Sequence, residues 1–129
     1  MTTELFYLAL VTTLTAVMWI PYILNMIIVR GIVDAVGYPE DPKPMARWAL
    51  RMKAAHANAV ENLVVFAALV LVAHAAGANN GCTAAAAAVY FWARIVHFFA
   101  YTARVPWVRT LAFAVGWAAQ IAFAWQILT

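Results

Sequence analysis

Polar residues in the second half of this sequence recur at helical spacing within apolar segments. Tyr90, Arg94, His97 and Tyr101 are separated by four, three and four residues. At about 100° per residue, this spacing places all four on one narrow stripe of a helix. Such a stripe within an apolar segment predicts an interior seam lined by protein, and its arginine, Arg94, contributes to a predicted cationic cleft.

A second polar set lies earlier in the chain. Its members are Arg51, Asn58, Glu61 and Asn62, which fall within about 100° of one predicted helix. Both polar sets lie in apolar segments that, as shown below, are long enough to cross a lipid bilayer. A charge near the bilayer centre costs at least about 2.5 kcal/mol, so Glu61 and Arg94 must face protein or water. Counted from the turn at residues 77–81, Glu61 and His97 lie at nearly the same depth. We therefore predict a buried Glu61–Arg94 pair with His97 and Asn62 beside it. A purely structural role, in which these groups only tie helices together, stays open.

The start of the last apolar segment predicts an anion site. Pro106 suits the first turn of a helix, and Arg109 and Thr110 follow it. An arginine beside a hydroxyl near a helix amino end is suited to stabilising an anion such as a thiolate. Basic residues are also common in the cytoplasmic loops of membrane proteins, which is the positive-inside rule. Arg109 fits that rule as well, so the motif alone does not decide its role. We expect a cationic cleft formed by Arg30, Arg51, Arg94, Arg104 and Arg109.

The composition predicts the elements that must position these residues. Of 129 residues, 67% are hydrophobic and only 10% are charged. In soluble domains, nearer half of the residues are hydrophobic and about a quarter are charged. The apolar excess predicts contact with membrane lipid and excludes a disordered tail, a nucleic-acid-binding arm and a coiled coil. The single cysteine, Cys82, excludes an internal disulfide, and no metal site is predicted.

Four apolar segments are long enough to cross a bilayer core of about 30 Å. They cover about residues 5–29, 45–76, 83–103 and 107–128. Pro21 is expected to kink the first span without ending it, and residues 37–44 to form an extended loop. The predicted fold is all-α, a single-domain integral membrane four-helix bundle over residues 1–129.

Basic residues predict the direction of the spans. Five lie in or near the connection between the first two spans, and two lie near the connection between the last two. By the positive-inside rule both connections face the cytoplasm and both termini face outward. The amino terminus lacks the basic region of a secretory signal, so the first span is expected to be retained.

Three short segments resemble one known family, the membrane-associated proteins in eicosanoid and glutathione metabolism (MAPEG). Residues 55–62, AHANAVEN, resemble its second-helix signature, with Asn58 and Glu61 three residues apart. Residues 94–101, RIVHFFAY, resemble the third-helix segment of its prostaglandin E synthase branch. Arg109 and Thr110 resemble an Arg-Ser pair that opens the fourth helix. With the four-span layout, the likeness covers nearly the whole chain.

The resemblance implies a four-helix protomer that forms a homotrimer, with glutathione as co-substrate held between subunits on the cytoplasmic side. It implies that Arg109, with Thr110, stabilises the glutathione thiolate, which attacks a lipophilic electrophile or reduces a hydroperoxide. Arginines and one carboxylate complement glutathione, which carries two carboxylates and one ammonium. The expected glutathione-binding set is Arg30, Arg51, Asn58, Glu61, Arg94, His97 and Tyr101.

Three positions depart from the family pattern. Many glutathione-using members have an arginine four residues before the Asn, where this chain has Ala54, and some have a basic residue at the position of Ala57. Phe113 stands where several members have a tyrosine. Arg51, one turn before Ala54, is a candidate replacement cation. Such changes are typical of short bacterial-type members, which implies a bacterial inner membrane.

These observations leave three hypotheses about function. The first is a glutathione transferase or peroxidase acting on a lipophilic small molecule from the bilayer. The second is a non-catalytic protein of the same fold that binds lipid or another anionic ligand, which the three departures favour. The third is a proton-coupled exporter, ranked last because it requires an isolated carboxylate at mid-membrane, whereas Glu61 is predicted to pair with Arg94.

Overall fold

The computed structural model describes residues 1–129 as six helices without strands. The helices are α1 (Thr3–Val17), α2 (Trp19–Arg30), α3 (Ile32–Val36), α4 (Arg47–Ala75), α5 (Gly81–Thr102) and α6 (Pro106–Leu128). With α1 and α2 taken as one segment, Thr3–Arg30, four segments are long and apolar enough to cross a membrane. The predicted all-α fold with four spans is confirmed.

The break between α1 and α2 follows from Pro21. Proline lacks an amide hydrogen, and its ring clashes with the carbonyl four residues earlier. That carbonyl belongs to Val17, the last residue of α1, and α2 begins at Trp19. The helix of the first span is therefore interrupted at Met18, just before the proline, and the span continues to Arg30.

The connection between α2 and α4 is fastened at two points. Residues 37–46 contain no helix, as their prolines predict, although the short α3 precedes them. The Arg30 Nε donates to the Lys43 carbonyl at 2.8 Å, and the Asn25 Oδ1 accepts from the Ala46 amide at 3.0 Å. These contacts hold the start of α4 against the end of α2.

Helix α5 packs against α1, α4 and α6. Its alanines are small enough for close helix packing, and Ala86 and Ala87 are buried. Phe66 of α4 stacks on Tyr90 of α5 with ring centroids 3.8 Å apart. Opposite them, a Cβ added to the buried Gly116 of α6 would lie 3.7 Å from the Arg94 Cδ. The polar stripe of α5 therefore packs between α4 and α6.

A buried carboxylate joins α1 to α5 at the end of the bundle that holds both chain termini. Glu4 is only 3% exposed, and its carboxylate accepts from the Thr83 hydroxyl at 2.5 Å. The same hydroxyl accepts from the Asn80 amide at 2.8 Å, and the Asn80 side chain accepts from the Cys82 and Thr83 amides. This capping box fixes the start of α5 while it satisfies Glu4.

Replacing Thr83 by valine should therefore destabilise the protein. The change leaves the buried Glu4 carboxylate without its donor and removes half of the capping box, a loss of about 1–3 kcal/mol. The midpoint of thermal unfolding in detergent, followed by circular dichroism, should fall. Thr12→Val, at an exposed threonine of α1, is the matched control and should leave the midpoint unchanged. Equal midpoints for the two variants would contradict the role of Thr83.

Candidate functional site

A chain of hydrogen bonds joins the three helices that carry the predicted site. The Arg94 Nη2 donates to the Asn58 Oδ1 at 2.7 Å, which links α5 to α4. Asn62 donates to the Asn58 carbonyl at 2.9 Å, and the Gln120 Nε2 of α6 donates to the Asn62 carbonyl at 3.2 Å. Because Arg94 is only 2% exposed, the Asn58 contact is its polar anchor inside the bundle.

The predicted Glu61–Arg94 pair is wrong within a single chain. Arg94 binds Asn58 instead, and Glu61 is exposed. The reason is the direction of each side chain on α4. Glu61 follows the buried Ala59 by two residues, or about 200°, and so points almost away from the face that packs on α5. Asn58 and Asn62 lie nearer that face and are half-buried.

Six residues from α4, α5 and α6 line one cleft, which we call the central cleft. They are Asn58, His97, Tyr101, Arg109, Thr110 and Phe113. Its volume is about 180 Å³. The structure thus brings together the predicted catalytic pair and three residues of the predicted glutathione-binding set, while their roles stay predictions.

Aromatic contacts set the geometry of the central cleft. His97 is only 2% exposed, and its ring lies 5.7 Å from the Tyr101 ring and 6.3 Å from the Phe113 ring, measured between centroids. The Arg109 guanidinium carbon stands 5.1 Å from the centroid of Tyr101. This cation–π contact holds the guanidinium at the wall of the cleft, where it can face an anion.

A second cleft adjoins the first and is named here the basic cleft. Its lining residues are Arg51, Ala100, Tyr101, Arg104, Val105, Pro106 and Arg109, around a volume of about 260 Å³. Arg51 reaches it from α4, where its Nε donates to the Thr102 carbonyl at 2.9 Å. Tyr101 and Arg109 line both clefts, so an anion held between them can contact three arginines.

Two residues of the predicted cationic cleft lie elsewhere. Arg30 bonds to the Lys43 carbonyl and lines neither cleft, and Arg94 sits deeper, on Asn58. The predicted five-arginine cleft is therefore reduced to Arg51, Arg104 and Arg109. The approach of α2 to α4 was not foreseen either, where the Tyr22 hydroxyl and the His56 Nδ1 are hydrogen-bonded at 2.6 Å. A spacing pattern within one helix carries no signal for such a contact.

The chain matches one known protein family over most of its length. The sequence model of the MAPEG family matches residues 8–129, which is nearly the whole chain. Neither the curated proteins nor the solved structures gave a match. The match covers most of the first apolar span, all of the other three and both clefts, and it confirms the family that residues 55–62 and 94–101 predicted. The chain is a multi-pass membrane protein and belongs to the MAPEG family.

Proposed function

We propose that this protein is a glutathione-dependent membrane enzyme that activates the glutathione thiolate against lipophilic electrophiles or hydroperoxides. The observation that carries the proposal is the position of Arg109. It stands at the start of α6 beside Thr110, lines both clefts and rests on the Tyr101 ring. Membership of a family with many glutathione-related members supports the same conclusion.

The charges of the two clefts suit glutathione. Arg51 stands beside Arg109 in the basic cleft, and these two arginines can bind the carboxylates of glutathione. Asn58, Tyr101 and Thr110 supply neutral polar groups in the central cleft. The thiol would lie against Arg109, where a guanidinium favours the thiolate over the thiol.

The chemistry then follows from the thiolate. The thiol proton leaves to solvent, and a sulfur electron pair forms a bond to an electrophilic carbon. The leaving group departs from that carbon with the electron pair of the bond that breaks. With a hydroperoxide, the sulfur attacks the terminal oxygen, the O–O bond breaks, and the alkoxide takes a proton from solvent and leaves as an alcohol. A second glutathione then displaces hydroxide, released as water, from the resulting sulfenic acid and forms glutathione disulfide.

A homotrimer is part of the proposal because the resemblance to the MAPEG family implies it, and the exposed Glu61 gives a physical reason for contact between subunits. It lies 14 residues from each end of α4, or about 21 Å, and is exposed on the surface of the single chain. A carboxylate facing lipid at that depth is costly, and a neighbouring subunit would shield it. The glutathione-binding role of Glu61, like that of Arg30, would then be exercised at a contact between subunits.

The direction of the protein in its membrane is also proposed. Both clefts lie at the end of the bundle that carries seven of the eight Lys and Arg residues, all except Arg94. The positive-inside rule assigns this end to the cytoplasm, where glutathione is available, and both termini to the outside. A bacterial inner membrane is also part of the proposal, because Ala54, Ala57 and Phe113 resemble bacterial-type members of the family.

A non-catalytic protein that binds lipid or another anion is the second candidate. It is favoured by Phe113, which brings an apolar ring to the central cleft where several members of the family have a phenol. Ala54 and Ala57 likewise leave exposed positions of α4 without a cation. In this candidate the arginines bind an anion but no thiolate forms.

The exposed Glu61 also changes the argument about an exporter. Its predicted pairing with Arg94 ranked the exporter last, and that pairing is absent within the chain. The exporter stays the last of the three candidates because the chain belongs to a family with many glutathione-related members. A vesicle assay in which drug-driven proton flux is lost in Glu61→Gln would reverse it.

Arg109→Ala should abolish most of the thiolate signal when glutathione is added to the purified protein. Without the guanidinium the thiol pKa returns toward its free value, and each unit of that change lowers the thiolate fraction about tenfold at a pH below both values. The ultraviolet absorbance of thiolate, titrated against pH, measures the effect.

Two variants serve as controls for this experiment. Arg109→Lys keeps the charge and should retain part of the signal, while Arg47→Ala removes an exposed arginine outside both clefts and should retain all of it. No thiolate in the native protein at millimolar glutathione, with binding intact, would favour the non-catalytic candidate.

Arg51→Ala should weaken glutathione binding about tenfold, as expected for the loss of one charge-assisted contact worth about 1.4 kcal/mol. Calorimetry on the detergent-solubilised protein measures the dissociation constant. Lys53→Ala, at an exposed residue of the same helix, is the control. Unchanged affinity in Arg51→Ala would refute the idea that Arg51 replaces the cation missing at Ala54.

The oligomeric state gives a separate test. Light scattering combined with refractive index, which subtracts the detergent, should give three times the chain mass of 14.2 kDa. Glu61→Arg should reduce that mass, because a larger side chain of opposite charge would disrupt the subunit contact that the proposal places at this position. A native protein that is monomeric in several mild detergents would remove the trimer from the proposal.

A further inference from the structure

An apolar groove runs along the outer side of the α5–α6 pair. Ala88, Val89, Trp92, Ala93 and Val96 form one wall, and Val108, Leu111, Ala112 and Val115 form the other. All nine residues are hydrophobic, and the groove encloses about 480 Å³. Ala93 and Ala112 form its floor because they are the buried members, while Trp92 stands at its edge with 59% of its surface exposed.

The groove leads toward the basic end of the bundle. Ala100 follows Val96 by one helical turn on α5, and Val105 precedes Val108 by three residues at the start of α6. Ala100 and Val105 both line the basic cleft. The two walls of the groove therefore continue into the residues that surround Arg104.

Arg104 is placed to meet a negative charge at this end. It lies in the turn between α5 and α6, it is exposed, and its φ of 62° is in the left-handed region. That backbone conformation favours glycine or asparagine, yet the position holds an arginine. No acidic residue lines the groove or the basic cleft, so its charge is free for an external anion.

We propose that the apolar groove and Arg104 together bind an anionic phospholipid, with one acyl chain between α5 and α6 and the phosphate at Arg104. The proposal does not depend on glutathione binding, because the groove shares no residue with either cleft and Arg104, although it lines the basic cleft, is not among the residues assigned to glutathione. It assigns Arg104 to the lipid and leaves Arg51 and Arg109 to the co-substrate.

The dimensions favour a phospholipid over a smaller anion. From Ala88 to Val96 the groove extends about 12 Å along α5, close to the depth of about 15 Å that one leaflet contributes to the bilayer core. An acyl chain of that leaflet would fill the groove, and its headgroup would reach the turn. A free phosphate could use Arg104 but would leave the groove empty.

The test uses phospholipids with brominated acyl chains, which quench tryptophan fluorescence on contact. Titrated into the purified protein in neutral detergent, brominated phosphatidylglycerol should reach half of its maximal quenching at about fivefold lower concentration than brominated phosphatidylcholine, as expected for one added charge contact. Trp92→Phe should remove the largest share of this quenching, since Trp92 borders the groove.

The decisive variant is Arg104→Asn, because asparagine tolerates the left-handed backbone but carries no charge. It should abolish the preference for phosphatidylglycerol, and Arg104→Lys should keep most of it. Arg47→Ala, at an exposed arginine of the same end, should keep all of it. A preference that survives in Arg104→Asn would overturn the proposal, as would quenching that is unchanged in Trp92→Phe.

A second copy of the chain is the competing occupant of the groove. Val96→Cys in a Cys82→Ser background places a single thiol on the groove wall. In lipid bilayers this thiol should stay uncrosslinked under mild oxidation if lipid fills the groove. Efficient disulfide-linked dimers would identify the groove as a contact between subunits and overturn the proposal.

Discussion

The burial of one guanidinium is the constraint on which the rest of this protein depends. Arg94 sits inside a bundle surrounded by apolar spans, almost wholly removed from solvent. A cation at that depth is tolerated only with polar partners, and its anchor is the Asn58 amide oxygen at 2.7 Å. Asn58 is held in turn by Asn62, whose carbonyl receives Gln120. The cost of burying one charge therefore connects α4, α5 and α6 into a single unit.

That unit positions the two clefts. One stripe on α5 carries Arg94 in the interior, His97 at the base of the central cleft and Tyr101 at its mouth. Helix α6 packs on α5 at the buried Gly116, where an added Cβ would be in van der Waals contact with the Arg94 and Tyr90 side chains. The start of α6 consequently brings Arg109 over Tyr101, which completes the cation-rich entrance.

The predictions from sequence succeeded where a single helix contains the whole pattern. The polar stripe from Tyr90 to Tyr101 can be predicted from the sequence because residues on one helix face keep a fixed spacing. The prediction that Arg94 pairs with Glu61 is wrong because the partner of Arg94 depends on how α4 is rotated against α5. Asn58 and Glu61 differ by about 60° around α4, and that small angle separates a buried amide from an exposed carboxylate. Arg30 was misplaced for a similar reason, since the path of the loop to Lys43 follows no periodicity.

The sequence by itself determined the membrane environment, the number of spans and the family, because apolar length, basic connections and short motifs are local properties of the chain. Only the tertiary structure decided which of these residues meet. It placed Glu4 against Thr83, Arg109 over Tyr101, and Arg94 on Asn58 rather than on Glu61. Helix rotation and loop path set those contacts, and both arise from the packing of whole helices, which no single segment encodes.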